Sequence, residues 1–234
     1  MNVLVIGAGY WGPNVVRNLT RFSEVERIGI FDLDQTKAQA VACQFPRTRV
    51  ETSLAGALTA GYQAAIIVTP VFTHADLGRQ ALEAGLHVLI EKPMTHTVVE
   101  AQMLIDLAKE RDLRLMAGHV FHYKPAVRTM VEMIKRGDIG DIRYVDSVRV
   151  NLGLFRHDVN VLWDLAPHDL SIFEAIFGGK QPERVLAHGA QHVAHPSRRH
   201  ETMVYMTLDY GNDVLAHLHV NCFSPLKLRQ IVVA

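Results

Sequence analysis

Continuous apolar runs alternate with amphipathic, helix-like segments through the first half of the chain. Apolar runs bounded by glycine or polar residues are typical of strands buried on both faces, and the segments between them carry apolar residues at helical spacing. The runs occupy residues 2–6, 27–31, 64–68, 86–90 and 113–117, with a shorter one near 49–50. Such a pattern predicts a doubly wound parallel sheet, whose ligands bind beyond the carboxyl ends of the strands.

Short polar motifs predict where helices begin between these strands. Asp34 precedes a helical pattern and is a candidate N-cap residue. Thr73-x-x-Asp76 and Thr97-x-x-Glu100 resemble capping boxes, the first with Asp in place of the usual Glu or Gln. We therefore expect a helix to follow each of these motifs.

The pattern changes after Gly118. Helical periodicity marks residues 125–134 and 165–177. Strand-like alternation marks residues 141–151, 184–193, 202–210, 214–222 and a segment from Leu228. In the first of these, the apolar face carries Ile142, Tyr144, Val148 and Val150. This half predicts a largely antiparallel open sheet with helices on one face.

Composition restricts the possible partners. Hydrophobic residues make up 49% of the 234 residues and charged residues 21%, enough for a sizeable core. The 24 basic and 24 acidic residues give a net charge of +0, so we expect neither nucleic acid nor an anionic membrane as a partner. Cys43 and Cys222 lack metal-ligand spacing and suit a reducing compartment. With no signal peptide and no membrane-spanning run, we expect a cytoplasmic protein.

The first predicted strand ends in a glycine turn that suits phosphate binding. Gly7-x-Gly9-x-x-Gly12 precedes a helical pattern, which is the context in which this motif binds a dinucleotide. Gly7 permits a tight bend, Gly9 leaves room for a pyrophosphate, and Gly12 lets the helix pack close to the strand. The helix N-terminus then offers N–H groups to the phosphates. The alternatives are a methyltransferase turn and a purely structural turn between strand and helix.

Asp32 ends the second predicted strand, where an acidic residue can accept hydrogen bonds from the adenosine ribose. Its carboxylate would repel a 2′-phosphate, so we expect NAD rather than NADP, although nearby Lys37 keeps NADP open. Together these residues predict an N-terminal Rossmann domain over residues 1–120. A substrate-binding and oligomerisation domain of α+β class follows over residues 121–234.

Glu91-Lys92-Pro93 carries the first candidate catalytic group. Lys92 follows a parallel strand, where an ammonium group can stabilise a developing alkoxide or move a proton. Pro93 lacks an N–H and restricts the turn, so it would direct the lysine. The alternative is a solvated lysine at a strand end.

Asp164 and His168 form the second candidate group. They lie four residues apart at a predicted helix start, with Pro167 in the first turn. A histidine suits proton transfer near neutral pH, and Asp164 could cap the helix, orient the imidazole, or do both. The alternative is a capping Asp beside a core histidine. No third ligand has motif spacing, so we expect no metal.

These segments occur in an order that resembles the Gfo/Idh/MocA oxidoreductase family across essentially the whole chain. The matching segments are residues 7–12, 68–70, 73–74, 84–93 and Asp164-x-x-x-His168-Asp169. The resemblance implies a Rossmann domain followed by an α/β domain with an open sheet. It also implies hydride transfer between a nicotinamide cofactor and a sugar, inositol or related carbinol.

The resemblance also assigns individual residues. Lys92 and His168 correspond to the catalytic pair, and Asp164 to the acidic neighbour that positions substrate or histidine. The implied cofactor-lining residues are Gly7, Gly9, Tyr10, Trp11, Gly12, Asp32, Thr69, Pro70, His74, Glu91 and Lys92. The chain also resembles a narrower branch, which oxidises the 3-hydroxyl of UDP-N-acetylglucosaminuronate-type sugars, at residues 151–153, Arg156, Asn160 and residues 162–172. The resemblance implies a substrate site formed by Lys92, Asn151, Arg156, Asn160, Asp164 and His168. The alternative for Arg156 and Asn160 is a solvated loop.

We expect the substrate to lie between the domains, with its carbinol over the nicotinamide. His168 or Lys92 would take the hydroxyl proton while the other polarises the oxygen, and the two roles stay open. The family implies a homo-oligomer formed through the C-terminal sheet. Because the chain stops within a predicted strand, we expect a shortened form with an exposed sheet edge. The alternatives are an inositol or free-sugar dehydrogenase, a dinucleotide-binding protein without turnover, and a non-redox enzyme that uses NAD transiently.

Overall fold

The computed structural model describes residues 1–153, 159–193 and 200–234. The chain forms two compact units, Met1–Gly118 and His119–Ala234, each with its own sheet. Arg156, a candidate substrate-binding residue, lies outside the described residues. Within the three described ranges, no helix has the length and apolar character needed to cross a membrane.

Strands and helices alternate in the first unit. The strands are β1 (Asn2–Ile6), β2 (Arg27–Phe31), β3 (Thr48–Val50), β4 (Ala64–Ile67), β5 (His87–Ile90) and β6 (Leu115–Ala117). The helices are α1 (Gly12–Leu19), α2 (Gln35–Ala42), α3 (Leu54–Leu58), α4 (His74–Glu83) and α5 (Val98–Glu110). Neighbouring strands are parallel, in the order β3-β2-β1-β4-β5-β6, so the predicted doubly wound sheet is confirmed.

Both faces of this sheet are buried, as continuous apolar runs predict. In β1, Leu4 and Ile6 join a core that includes residues of α4 and α5. Val3 and Val5 point to the opposite face and join a second core with residues of α1 and α2. The strand order reverses at β1 and β4, and this switch point is where doubly wound sheets bind ligands.

A helix follows each of the three predicted start motifs, and two of the three predicted side-chain caps are confirmed. The carboxylate of Asp34 accepts the N–H groups of Thr36 and Lys37 at the start of α2. Thr97 and Glu100 form a complete capping box on α5, with reciprocal hydrogen bonds of 3.2 and 3.0 Å. Each cap satisfies N–H groups that the first helical turn leaves without partners.

The predicted cap at Thr73 is wrong. A short 3₁₀ helix, Val71–Thr73, leads directly into α4, so the backbone of Thr73 is already helical and its side chain does not cap. The Thr73 hydroxyl instead lies 2.6 Å from the hydroxyl of Thr69 and donates to the carbonyl of Pro70 at 2.7 Å. These contacts hold the segment after β4 in a compact turn.

In its described residues, the second unit combines two α-helices and a five-stranded sheet. A 3₁₀ turn, Val120–Tyr123, precedes α6 (Pro125–Arg136) and α7 (Val161–Ile176). The strands are β7 (Tyr144–Leu152), β8 (Arg184–Ala190), β9 (Met203–Asp209), β10 (Leu215–Asn221) and β11 (Phe223–Val233). In the order β11-β7-β10-β9-β8, only the β7–β10 pair is parallel among the described strands, so the largely antiparallel sheet is confirmed.

One face of this second sheet packs on α7. Inward residues of β9 and β10 form a core with Ile172 and Phe173 of α7. The alternate positions include Tyr205, whose ring stacks on those of His217 and His219 at 6.2 and 4.3 Å. The other face therefore carries aromatic and ionisable side chains.

The face of β7 that is most buried is not the predicted one. Val145, Ser147 and Arg149 are buried. On the predicted face, in contrast, Tyr144 is exposed, Val148 is half-buried and Val150 alone is buried. The cause is polar, because Ser147 and Arg149 both hydrogen-bond the buried carboxylate of Asp169 on α7. A pattern based on apolar side chains assigns an arginine to solvent and misses one whose charge is paired inside.

Candidate cofactor and catalytic sites

The glycine turn lies between β1 and α1. Gly7 has a φ of +110°, and a Cβ there would lie 3.0 Å from the carbonyl group of Val68, so the position favours glycine. A Cβ on Gly12 would lie 2.5 Å from the Gly7 carbonyl oxygen. A Cβ on Gly9 would meet no described atom within 4 Å. The turn is thus closely packed on both sides and open at Gly9, which is the shape that a pyrophosphate requires.

The N-terminus of α1 adjoins this opening. Among the described residues, Trp11 provides no side-chain cap and the first turn contains no acidic group. The terminal N–H groups and their partial positive charge are therefore available to an anion. Tyr10 and Trp11 are 78% and 50% exposed and meet edge to face at 5.7 Å, which leaves two aromatic rings beside the turn.

Asp32 follows β2 and contacts the glycine turn. Its Oδ2 accepts the N–H of Ala8 at 2.7 Å, and its Oδ1 accepts the N–H of Asp34 at 2.8 Å. A carboxylate offers about four acceptor positions, so ribose hydroxyls can bind beside these two amides. Lys37, which kept NADP open, lies 3.3 Å from the Asp34 carboxylate. The residues present therefore fit a dinucleotide with a free 2′-hydroxyl.

The ends of β4 and β5 bring two more candidate segments to the same edge. Ile67 pairs with Ile90, so the residues that follow each strand are neighbours. Glu91 Oε2 accepts the N–H of Lys92 at 3.1 Å, and the Lys92–Pro93 peptide is cis. Burial raises the pKa of Glu91, although the Lys92 N–H and charge oppose the rise. Lys92 itself is half-buried at this edge.

His74 bridges these two strand ends. The side chain is 1% exposed. Its Nδ1 lies 3.0 Å from the Pro93 carbonyl oxygen, and its Nε2 lies 2.8 Å from the Thr69 carbonyl oxygen. The resemblance implies that His74 lines the cofactor, and this stays a prediction. Its ring nitrogens contact backbone carbonyls at both strand ends, so the side chain also supports the Lys92 turn.

In the second unit, α7 begins earlier than predicted. Asn160 is its N-cap, with Oδ1 accepting the Trp163 N–H at 3.0 Å, and its Nδ2 donates to Glu201 at 2.8 Å. The prediction that Asp164 could cap is therefore wrong, since Asp164 lies inside the helix. For the same reason Pro167 lies in the helix interior and not in the first turn.

Asp164 and His168 lie four residues apart on α7 and are both half-buried. This spacing places them on one helix face, as predicted. The imidazole of His168 meets the ring of Phe121 at 4.9 Å in an edge-to-face contact. Burial raises the pKa of Cys222, with a smaller contribution from the Asp164 carboxylate.

The candidate residues divide between the two units. The cofactor candidates and Lys92 belong to the first unit, whereas Asn151, Asn160, Asp164 and His168 belong to the second. Sequence reasoning missed Arg149, Ser147 and Phe121, although an arginine inside an apolar alternation was a signal. In the described part of the chain, no three His, Cys, Asp or Glu side chains could share a metal ion.

Comparisons with known proteins agree with this arrangement. Residues 1–119 match a family described as oxidoreductases with an NAD-binding Rossmann fold, and residues 127–234 match the Gfo/Idh/MocA C-terminal domain. UDP-N-acetylglucosamine 3-dehydrogenase of Acidithiobacillus ferrooxidans is 34% identical over 214 residues, which cover 90% of this chain and 64% of that protein. The solved structure of a protein of that name from the same organism superposes with a TM-score of 0.85 at 29% identity, covering 100% of this chain and 73% of that one.

A second curated relative acts on a different nucleotide sugar. The dTDP-3,4-didehydro-2,6-dideoxy-alpha-D-glucose 3-reductase of Streptomyces violaceoruber is 32% identical over 155 residues, covering 62% of this chain and 44% of that protein. The chain thus spans less than two thirds of the length of both curated relatives. Because a family model matches each of its two units, the chain belongs to the Gfo/Idh/MocA family of oxidoreductases.

Proposed function

We propose that this protein transfers a hydride between NAD and a secondary hydroxyl of a sugar or nucleotide sugar, at C3 of a UDP-linked aminosugar. The observation that carries the proposal is that one chain combines a cofactor site with two candidate acid–base groups. The glycine turn before α1 suits a dinucleotide, Lys92 follows β5, and Asp164 and His168 share a face of α7. The two curated relatives support the substrate class, because both are named for position 3 of a nucleotide sugar.

The first unit would hold the dinucleotide. Backbone N–H groups from Gly9 to Gly12 would bind the pyrophosphate at the start of α1, since those of Gly7 and Ala8 donate to Phe31 and Asp32. Asp32 would accept from the adenosine ribose. The Asp32 carboxylate favours NAD over NADP by charge repulsion. Further lining would come from Tyr10, Trp11, Thr69, Pro70 and Glu91. When bound, NAD supplies the acceptor for the hydride.

Lys92 and His168 would act on the same substrate hydroxyl. One group takes the hydroxyl proton, and the other donates a hydrogen bond to the oxygen as negative charge develops there. Asp164, one turn before His168, would orient the imidazole or bind a neighbouring substrate hydroxyl. Sugar hydroxyls would also be bound by Asn151, Arg156 and Asn160.

The second sheet would form the contact in a homo-oligomer. The side chains of Val185, Leu186, Tyr205 and Leu215 are exposed on its strands. Exposed apolar side chains on neighbouring strands are typical of interaction surfaces. We place the protein in the cytoplasm, because Cys43 and Cys222 are both free thiols and the proposed substrates are metabolites of that compartment.

The proposal is tested by fluorescence titration with NADH and NADPH, followed by NAD reduction with UDP-sugar, free-sugar and inositol panels. We expect Lys92→Ala and His168→Ala to bind NADH and to lose about 10²- to 10⁴-fold in turnover, the usual contribution of general acid–base groups. Lys109→Ala, on the exposed face of α5, is the matched control and should keep full activity.

Other outcomes would contradict the proposal in distinct ways. Binding of NADH without turnover on any panel member would indicate a binding protein. Consumption of a substrate without net NADH would indicate a non-redox reaction. Absence of NADH binding by a folded chain would contradict the assignment of the glycine turn.

A further inference from the structure

A buried ion pair adjoins the candidate acid–base histidine. Asp169, the residue after His168, is 1% exposed, and Arg149 on β7 is 4% exposed. Arg149 Nε lies 2.5 Å from Asp169 Oδ2, and Nη2 lies 3.0 Å from Oδ1. The hydroxyl of Ser147 donates to the same Oδ1 at 2.8 Å. Three donors on one carboxylate, two of them charged, make a rigid connection between β7 and α7.

Phe121 links this ion pair to the imidazole. The guanidinium carbon of Arg149 lies 4.4 Å from the centroid of the Phe121 ring. The same ring meets the imidazole of His168 edge to face at 4.9 Å. Both contacts have favourable geometry, a cation over a ring face and two rings at a steep angle. The ring therefore restricts where the imidazole can turn.

We propose that Arg149, Asp169 and Phe121 are positioning residues for His168. The Arg149–Asp169 ion pair holds α7 and the Phe121 ring in place, and the opposite charges of Arg149 and Asp169 cancel each other near the imidazole. This inference rests on the proposed role of His168 as an acid or base. A net charge of either sign at this depth would favour one protonation state, whereas a proton-transfer group must change state in each cycle.

Other ionisable groups near α7 are few among the described residues. The residues that β9 and β10 turn towards α7 are Val204, Met206, Leu208, Ala216, Leu218 and Val220. The packed residues of α6 are the apolar Val127, Met130, Val131 and Ile134.

The remaining ionisable groups lie on α7 itself, on the 3₁₀ turn and near the first turn of α7. Near that first turn, Asn160 donates to the Glu201 carboxylate, and burial, with a smaller contribution from the charge of Asp164, raises the pKa of Cys222. Asp164 lies one helical turn before His168, and Glu174 lies later on the same helix. His122 lies 3.8 Å from the Glu174 carboxylate. Burial, and to a lesser extent His122, lower the pKa of His119. The Arg149–Asp169 pair is thus the buried charge pair whose guanidinium contacts the Phe121 ring, which in turn contacts the imidazole of His168.

The test is an NMR titration of the His168 imidazole in the full chain, assigned with His168→Gln. Arg149→Met leaves a carboxylate alone, so the His168 midpoint should rise by about half a pH unit or more. Asp169→Asn leaves a guanidinium alone, so the midpoint should fall by a similar amount. The apolar double variant Arg149→Met/Asp169→Leu should return close to the parent midpoint. Midpoints that stay constant, or that move in the same direction in both single variants, would overturn the inference.

Phe121→Leu provides a second test if a single charge variant fails to fold. It keeps both charges, so the midpoint should match the parent while the imidazole gains ring mobility in NMR relaxation. We expect kcat to fall about tenfold with little change in KM, since the misplaced group acts only in the chemical step. Unchanged ring mobility would contradict the role of Phe121. If the parent oxidises no sugar, the proposed function fails, while the titration still decides this inference.

Discussion

The Ala8 amide donates to the Asp32 carboxylate at 2.7 Å, across the carboxyl ends of β1 and β2. A second amide, from Asp34, donates to the other carboxylate oxygen. The residue expected to read the adenosine ribose therefore also shapes the glycine turn that receives the phosphates. One side chain thus serves both the adenosine-ribose part and the phosphate part of the proposed dinucleotide site.

Asp32→Asn should change cofactor preference more than it changes the fold. The amide keeps one acceptor oxygen, so one of the N–H groups of Ala8 and Asp34 loses its acceptor at a surface turn. The substitution also removes the charge that would repel a 2′-phosphate. We expect the ratio of the NADPH to the NADH dissociation constant to fall by about tenfold or more, equivalent to about 1.4 kcal/mol. Fluorescence titration with both nucleotides measures the ratio. Asp106→Asn, the same change on the exposed face of α5, should leave the ratio unchanged.

Asp169→Asn should destabilise the second unit strongly. It leaves the Arg149 guanidinium, 4% exposed, without its paired charge. Breaking a buried pair in this way costs about 3–5 kcal/mol, while replacement of both partners by apolar side chains is often neutral. Urea unfolding gives the free energy of unfolding of the parent, of Asp169→Asn and of Arg149→Met/Asp169→Leu. We expect the double variant to recover most of the stability that the single variant loses.

An exposed ion pair supplies the comparison. Asp76 and Arg79 lie 2.8 Å apart on α4, and both side chains are largely in solvent. Asp76→Asn should change the free energy of unfolding little, because solvent screens such pairs. If Asp169→Asn cost no more than Asp76→Asn, the Arg149–Asp169 pair would not be a structural anchor.

The strands and most helix starts of the first unit could be predicted because the residues that determine them are close together in sequence. The run from Asn2 to Ile6 is apolar at four of its five positions and is followed directly by Gly7. Both halves of the Thr97 and Glu100 capping box are present within four residues of chain. Where strand, turn and cap depend on neighbours in sequence, the predicted elements match the structure.

The errors occur where a distant partner decides the outcome. The face of β7 is set by Arg149 and its carboxylate partner Asp169, 20 residues away in sequence. The start of α7 is set by Asn160, whose side-chain amide also binds Glu201, 41 residues away. Polar tertiary contacts of this kind leave no periodic signal in the chain. The missed cap at Thr73 is a local exception, because a 3₁₀ turn runs into α4 and the Thr73 hydroxyl contacts Thr69, four residues away.

Tyr62→Phe should remove a pH-dependent contribution to the stability of the first unit. The Tyr62 hydroxyl donates to Glu51 at 2.5 Å, and burial, followed by this hydrogen bond, raises the pKa of Tyr62 to about 12. The folded state keeps its proton where the unfolded chain, with an ordinary tyrosine pKa of about 10, loses it. The contribution is therefore complete below pH 10 and is lost as pH rises through about 12.

Urea unfolding between pH 9 and pH 12 gives the free energy of unfolding of the parent and of Tyr62→Phe. The difference between the two free energies isolates this contribution. The difference should be constant at the lower pH values and shrink above about pH 10. Tyr10→Phe, which alters an exposed tyrosine, should run parallel to the parent throughout. A Tyr62→Phe difference that stays constant to pH 12 would show that the hydroxyl is not protonated preferentially in the folded state.

His74→Leu should loosen the turn that carries Lys92. Leucine fills the buried space but has no N–H. A neutral imidazole donates its one N–H to one of the carbonyl oxygens of Thr69 and Pro93, which lie 2.8 and 3.0 Å from its ring nitrogens. Leaving a buried carbonyl without its donor costs about 1–3 kcal/mol. We expect faster hydrogen exchange in residues 91–95 and, if Lys92 acts as proposed, a fall in kcat that exceeds the change in NADH affinity.

A matched histidine separates support of the turn from general loss of stability. His87, on β5, is exposed and accepts one backbone N–H, from Arg114 at 3.1 Å. His87→Leu should cost less stability and leave exchange in residues 91–95 unchanged, because it contacts neither strand-end carbonyl. If His74→Leu weakened NADH binding strongly while exchange near Lys92 stayed at the parent rate, His74 would contact the cofactor directly. The bridge between the ends of β4 and β5 would then be secondary to that contact.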